Sequence, residues 1–122
     1  MKIEKSLEDY LETILMLSKN GNVRAIDIAK ALNFSKPSVS VALKNLKAQE
    51  YITVDSFNHI NLTDKGLTRA TSTLEKHELL IDLFIKLGVP EEVARIEGCQ
   101  IEHHLSDISF ACIKKYYLEH IV

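Results

Sequence analysis

The sequence contains little glycine, proline or cysteine, and it has no tryptophan. Four glycines and two prolines among 122 residues are too few turn-forming residues for a fold built from many β-hairpins. The two cysteines, Cys99 and Cys112, are too few for a disulfide framework, so we expect free thiols or metal ligands. Long apolar runs and a signal-peptide pattern are also missing, which predicts a cytoplasmic protein without a membrane partner.

The composition is typical of a compact folded chain, because 46% of the residues are hydrophobic and 26% are charged. The formal net charge of −2 is unevenly distributed along the sequence. Residues 13–70 have a net charge of +4, whereas residues 76–122 have a net charge of −3. This distribution indicates a DNA-facing part joined to a part with another role.

Helical signals begin near the amino terminus. Ser6 and Asp9 have the spacing of a capping box, which predicts that a first helix begins at Ser6. Residues 25–32 predict a short second helix. After a brief turn, Ser35 is placed to cap a third helix, with Pro37 in the first turn, where its missing N–H costs nothing. The second and third helices have the spacing of a helix-turn-helix.

One face of the predicted third helix is suited to DNA. The apolar residues Val39, Leu43 and Leu46 fall on one side at 100° per residue, and the other side is small, polar and basic. Such a face can enter a major groove about 12 Å wide, although an ordinary solvated helix face is the alternative. The candidate DNA-binding residues are Ser35, Lys36, Pro37, Ser38, Ser40 and Lys44.

Alternation of polar and apolar residues at 51–55 and 59–63 predicts a β-hairpin, after which the helical pattern returns. Helix, helix-turn-helix, hairpin and helix is the order of a winged-helix domain, in which the hairpin is the wing. The predicted fold is therefore mainly α. It has an N-terminal winged helix-turn-helix domain with a two-stranded β wing, over residues 1–73.

Residues 74–122 are predicted to form a helical dimerisation domain. The pattern indicates one helix from residue 68 to residue 87 and further helix from residue 91 to about residue 119. An apolar stripe on this last helix spans roughly 60° and has no obvious partner in so short a chain, so we expect a homodimer interface there. The interface residues are Ile101, Leu105 and Ile108.

The side opposite this stripe carries candidate metal ligands. Cys99, Glu102 and His103 offer sulfur, oxygen and nitrogen donors from one helical face. Thiolate and imidazole favour Fe(II), Co(II), Ni(II) or Zn(II), whereas added carboxylates also admit Mn(II). The alternatives are an interfacial histidine at position 103 and a small buried side chain at position 99.

Two other segments supply further candidates. Asp9 and Glu12 are i,i+3 neighbours turned away from the apolar stripe of the first helix, and His77 lies in an apolar stretch of a later helix. Each has a simpler explanation, since Asp9 could complete the capping box, Glu12 could be solvated and His77 could be a hydrogen-bonded core histidine. The convergence of several donors favours the metal hypothesis.

Three segments resemble the diphtheria toxin repressor family of metal-dependent regulators, and the resemblance extends over nearly the whole chain. They are residues 6–17 (SLEDYLETILML), 76–80 (KHELL) and 97–106 (EGCQIEHHLS). The similarity is greatest to the branch of two-domain manganese transport regulators. It implies a metal-dependent DNA-binding regulator that represses metal-uptake genes and binds a near-palindromic operator as a homodimer.

The resemblance also implies six metal ligands and one or two divalent ions per subunit. In the manganese branch position 9 is Asp and position 99 is acidic, whereas the iron branch has Met and Cys. The combination of Asp9 and Cys99 therefore makes Mn(II) and Fe(II) the leading cofactors, with Zn(II) and Co(II) as alternatives. The implied ligands are Asp9, Glu102 and His103 for one ion and Glu12, His77 and Glu102 for its neighbour, with Cys99 shared.

Two other functions fit part of the sequence. A winged-helix regulator that responds to an organic ligand, or to none, explains the first 75 residues equally well. It gives no reason, however, why the donors at 99, 102 and 103 should lie on the same helical face. A metalloenzyme is suggested by His77 and Glu78, yet Ile81 stands where a zinc protease helix needs its second histidine. The sequence therefore predicts a regulator and not an enzyme.

Overall fold

The computed structural model describes the backbone of residues 2–122 and the side chains of residues 7–122. This range divides into two compact units, one ending at Ser72 and the other spanning Thr73–Val122. No helix within the range is long and apolar enough to cross a membrane. In chain order the elements are α1 (Lys2–Ser18), α2 (Ala25–Leu32), α3 (Lys36–Ala48), β1 (Ile52–Val54), β2 (Ile60–Leu62), α4 (Asp64–Lys86), α5 (Glu91–Glu102) and α6 (Asp107–His120).

The first unit folds around the apolar faces of α1, α2 and α3. Leu11 and Ile14 of α1 are completely buried, as their spacing of three residues predicts for one face of a helix. They belong to one core cluster with Ile28 of α2, Leu46 of α3 and Ile52 of β1. Burial of each such side chain is worth about 1.5–3 kcal/mol, so this core determines which face of each helix is left to solvent.

The predicted helix-turn-helix is confirmed in α2 and α3. Asn33, between the two helices, has φ of 56°, a left-handed conformation that asparagine adopts more readily than most residues. The Ser38 N–H donates to Ser35 Oγ at 3.3 Å, so Ser35 caps α3 as predicted. Pro37 lies in the first turn of α3, where its ring is tolerated.

The predicted two-stranded wing is also confirmed, because β1 and β2 pair antiparallel. The turn between them is held by Asp55, whose Oδ1 accepts the N–H groups of Phe57 and His59, each at 2.9 Å. The Ile60 N–H donates to the Val23 carbonyl at 2.7 Å, which attaches the wing to the segment before α2. Both strands are three residues long and so are shorter than the alternating runs that predicted them.

The predicted start of the first helix is wrong. α1 begins at Lys2, so Ser6 and Asp9 both lie inside the helix and do not form a capping box at its start. Lysine and glutamate are good helix formers, and the residues before Ser6 include both, so the helix does not need to begin at the first cap-like residue. The side chain of Ser6 lies outside the described residues.

The prediction of continuous helix from residue 91 to about residue 119 is also wrong. α5 ends at Glu102, His103 is its C-cap, and α6 begins at Asp107. Ser106 starts α6 because its Oγ accepts the Ser109 N–H at 3.1 Å. The apolar stripe expected on one helix is therefore divided between α5, the intervening turn and α6.

The second unit contains the C-terminal part of α4 together with α5 and α6. Leu80 of α4, Ala94 of α5 and Phe110 of α6 are buried apolar residues of this unit. Polar contacts connect α4 to α6 as well. Lys114 Nζ donates to Glu75 Oε1 at 2.8 Å, and Lys76 Nζ donates to Asp107 Oδ1 at 3.2 Å. These contacts hold α6 against α4, the helix that carries His77.

Candidate metal centre

Three of the predicted metal ligands come together in the second unit. His77 projects from α4, and Cys99 and Glu102 project from α5. One ligand atom from each of the three residues lies within 4.8 Å of the others. A cation of the first transition series binds such atoms at about 2.0–2.3 Å, so a small rearrangement of side chains would bring all three into contact with one ion.

Glu102 is the central residue of this cluster, and its side chain is only 2% exposed. Its Oε1 lies 3.3 Å from His77 Nδ1 and 4.0 Å from Cys99 Sγ. Its Oε2 is buried and has no hydrogen-bond partner within the part of the chain that the structure describes. An ionised carboxylate buried with one oxygen unpaired is costly, and a bound cation would remove that cost. The donor set therefore fits a divalent metal.

His103, another of the predicted ligands, lies beside the same carboxylate. It caps the end of α5, and its Nε2 lies 3.5 Å from Glu102 Oε1. Its side chain is 3% exposed. Because α5 stops at Glu102, His103 is positioned by the end of the helix rather than by a continuing helical face.

The cluster changes the protonation of its histidine. Hydrogen bonds to Cys99 and then to Glu102 raise the pKa of His77 to about 10, against the opposing effect of burial. Below that pH, without a metal, His77 is a cation that balances neighbouring negative charge. A histidine binds metal as neutral imidazole, so it must release this proton when it becomes a ligand.

Gly98 was not identified as a functional residue from the sequence. A Cβ atom at this position would lie 3.0 Å from Ile81 Cγ1 and 3.3 Å from Ile81 N. The missing side chain therefore lets α5 approach α4 closely, next to the donors of both helices. A glycine inside a helix costs about 1 kcal/mol relative to alanine, and this cost was the available signal that position 98 has a packing role.

Asp9 and Glu12 lie on α1 in the first unit. Both are partly exposed, whereas Leu11 and Ile14 of the same helix are buried, as the sequence predicted. Their role as metal ligands stays a prediction.

The predicted DNA-binding residues share the solvent-facing side of α3. All of them are exposed, whereas Val39 and Leu46 are buried. Ser35 Oγ accepts the Ser38 N–H and donates to Ser38 Oγ at 2.9 Å, so these two residues contact each other at the start of the helix. Val41 lies on the same solvent-facing side of α3 and is 60% exposed. The exposed residues are Ser35, Lys36, Pro37, Ser38, Ser40 and Lys44.

The residues expected at the dimer interface lie on three different segments. Ile101 of α5 is 38% exposed and Ile108 of α6 is 78% exposed. Leu105, in the turn between these helices, is partly exposed. Exposed apolar side chains of this size are available for contact with a second copy of the chain, but they do not form one helical stripe.

A winged-helix unit followed by a helical unit with a Cys, His and Glu cluster is the arrangement of a metal-dependent transcriptional regulator. Residues 2–60 match the family described as iron dependent repressor, N-terminal DNA binding domain. Residues 63–121 match the iron dependent repressor, metal binding and dimerisation domain. The chain belongs to this iron-dependent repressor family, and the two matches imply binding to DNA and pairing with a second copy.

Similar proteins agree with this assignment. An HTH-type transcriptional regulator of Methanocaldococcus jannaschii is 34% identical over 108 residues, which cover 86% of this chain and 86% of the relative. The HTH-type transcriptional regulator MntR of Bacillus subtilis is 37% identical over 102 residues, covering 83% of this chain and 72% of the relative. The solved structure of the manganese regulator SloR has a TM-score of 0.78 at 29% identity over 90% of this chain, which spans about half (52%) of that protein.

Proposed function

We propose that this chain is a DNA-binding repressor of metal-uptake genes whose operator affinity is controlled by a divalent metal ion. The observation that carries the proposal is the convergence of ligand atoms of His77, Cys99 and Glu102 within 4.8 Å of one another, at a buried carboxylate whose Oε2 lacks a partner among the described residues. The proposed ligands are Asp9, Glu12, His77, Cys99, Glu102 and His103.

The proposed ligands belong to two domains, residues 1–73 and residues 74–122. Asp9 and Glu12 are assigned on the resemblance of α1 to metal-dependent regulators, and the other four on the cluster in the second unit. When bound, a divalent cation neutralises the negative charge of carboxylates and thiolate and joins the groups that ligate it. Ligands from both domains would thereby make the geometry of the DNA-binding domain depend on metal, with a coupling energy of typically 1–3 kcal/mol.

Mn(II) and Fe(II) are the leading candidates for the physiological metal. The manganese regulators among the similar solved structures and the carboxylates at positions 9, 12 and 102 support Mn(II). Cys99 supports a softer ion, because thiolate ligands favour Fe(II), Co(II) or Zn(II). The proposal is one or two ions per subunit, since six ligands exceed the four that a tetrahedral site needs.

The outer face of α3 is the proposed DNA-reading surface. Its hydroxyl groups at positions 38 and 40 can reach base edges, and the ammonium groups of Lys36 and Lys44 can pair with phosphates. Two copies of the chain, joined through Ile101, Leu105 and Ile108, would present two such helices related by a two-fold axis. The operator is therefore expected to be a near-palindrome.

An anaerobic metal titration tests this function. Binding of the full chain to duplexes selected from a random DNA pool is measured with Mn(II), Fe(II), Co(II), Zn(II) and no metal. We expect at least one ion to raise affinity by about 5- to 150-fold, and the selected sequence to be a near-palindrome. Affinity that is unchanged by all four ions would contradict metal control and would favour a regulator that answers to another ligand or to none.

A further inference from the structure

Arg69 of α4 contacts both α1 and the segment that leads into the wing. Its Nη1 donates a hydrogen bond to Tyr51 Oη at 2.8 Å, and its Nε lies 3.8 Å from Glu8 Oε2. Glu8 belongs to α1, and Tyr51 is the residue immediately before β1. One guanidinium group therefore links α1 to the base of the wing, entirely within the first unit.

This junction is closely packed. Arg69 Cζ lies 5.5 Å from the centre of the Tyr51 ring, and Tyr51 itself is buried. The side chains of Arg69 and Glu8 are 31% and 23% exposed, so solvent screens their attraction less than that of a fully exposed pair. A Cβ atom on Gly66 would lie 2.0 Å from the Tyr51 carbonyl oxygen, which shows how closely the start of α4 approaches this segment.

Glu8 is also next to the proposed metal ligands of α1. It immediately precedes Asp9, and it stands one helical turn before Glu12. Because the backbone hydrogen bonds of a helix make one turn move together, a rotation or shift of α1 that carries Asp9 and Glu12 must also carry Glu8. Any such movement changes the contact between Glu8 and Arg69, and through Arg69 the contact with Tyr51.

We propose that Arg69 is a positioning residue that transmits the position of α1 to the base of the wing and thereby contributes to the coupling between metal binding and DNA binding. The inference rests on the proposed function, because it takes Asp9 and Glu12 as metal ligands. Arg69 itself contacts neither metal nor DNA in this mechanism. Its role is to couple a change in the position of α1 to a change in position at the base of the wing.

The test is the coupling factor, defined as the ratio of DNA affinities with and without saturating Co(II). It is measured on the full chain with a duplex selected by the metal-loaded parent protein. We expect Arg69→Met and Glu8→Gln each to lower the coupling factor about tenfold, within the usual range for linked sites. The double variant should lose no more than either single variant, because the two side chains act through one contact.

Two further measurements separate positioning from general damage. Metal-free DNA affinity and the visible absorption spectrum of the Co(II)-saturated protein should match those of the parent. Arg69→Lys keeps the positive charge and should recover part of the coupling. Glu8→Gln provides the same test from α1 if Arg69→Met does not fold.

Lys65→Met is the matched control, because Lys65 Nζ lies 4.3 Å from the centre of the same Tyr51 ring but donates to the Gln49 carbonyl instead of reaching α1. It should keep the coupling factor of the parent. A parental coupling factor in Arg69→Met, or an equal loss in Lys65→Met, would overturn the role of Arg69. A parent protein whose DNA affinity is changed by none of Mn(II), Fe(II), Co(II) and Zn(II) would overturn the proposed function and this inference with it.

Discussion

Gly98 of α5 lies so close to Ile81 of α4 that a Cβ atom at position 98 would be 3.0 Å from Ile81 Cγ1 and 3.3 Å from the Ile81 backbone nitrogen. The backbone nitrogen belongs to a helix and cannot rotate away. His77 lies one turn before Ile81, and Cys99 follows Gly98. The close contact between these two helices therefore determines how near their ligand atoms come to one another.

Gly98→Ala should weaken metal binding without unfolding the protein. The added methyl group pushes α5 away from α4 by a few tenths of an ångström, which is enough to disturb a metal site whose distances are defined to about 0.2 Å. We expect metal affinity, measured by isothermal titration calorimetry, to fall about tenfold, as for other residues that orient ligands. The gain of about 1 kcal/mol in helix propensity should offset much of the steric cost to stability.

Gln100→Ala is the control for that measurement, since Gln100 is exposed on the same helix. It should bind metal as the parent does. Parental metal affinity in Gly98→Ala would show that the contact with Ile81 does not determine the spacing of the ligands.

Glu102→Gln should abolish metal-stimulated DNA binding and leave a folded protein. The amide has the same shape as the carboxylate but lacks its charge, so we expect metal affinity to fall by about 100-fold or more. Without metal, the variant should be less stable than the parent, because the protonated His77 loses the charged partner that helps to raise its pKa to about 10. Urea denaturation with and without metal measures both effects.

Glu97→Gln is the matched control, because Glu97 is an exposed carboxylate on α5. Metal should stabilise this variant and the parent equally, but it should not stabilise Glu102→Gln. If Glu102→Gln gained the same stability from metal as the parent, Glu102 would not be a ligand. His103→Ala and Asp9→Ala should abolish metal-stimulated DNA binding, as Glu102→Gln does. His77→Ala should have a milder effect on this binding if His77 is a ligand of only one of two ions.

The first unit could be predicted from the sequence because its signals are local. Ser35 and Pro37 mark the start of α3 within a single turn, and alternation at 51–55 and 59–63 marks the wing. The start of α1 was placed too late because the Ser6 and Asp9 spacing also occurs inside helices. Such local patterns identify an element more reliably than its first residue.

The second unit was harder to predict, because its decisive contacts are distant in sequence. Periodicity continues through residues 103–106, and only the Ser106 side chain, which caps α6, reveals that the helix stops. The approach of His77 to Glu102 depends on packing across 25 residues, at the contact made by Gly98. The donor types were visible in the sequence, but their convergence required the packing of α4 against α5.

Changes at Cys99 should alter the choice of metal. Cys99→Glu replaces a soft thiolate with a hard carboxylate and should shift the most effective ion toward Mn(II). Cys99→Ala should lower affinity for Zn(II), Co(II) and Fe(II) more than affinity for Mn(II), because only the softer ions lose a preferred ligand. Competition titrations under reducing, anaerobic conditions measure these ratios. Cys112→Ala is the control, because this second thiol is exposed and lies on α6. Unchanged ratios of metal affinities in both Cys99 variants would show that Cys99 is not a ligand.

Lys44→Ala and Lys36→Ala should weaken binding to every DNA sequence and reduce its dependence on salt. Each ammonium group that pairs with a phosphate releases a counterion, so losing one should reduce the slope of log affinity against log salt by about 0.9. Ser40→Ala and Pro37→Ala change the same exposed face without changing charge, and they should alter sequence preference while leaving the slope as it is. Affinities measured by fluorescence anisotropy between 50 and 200 mM salt, roughly the range in which such slopes are resolved, provide the comparison. A parental slope in Lys44→Ala would mean that Lys44 does not contact phosphate.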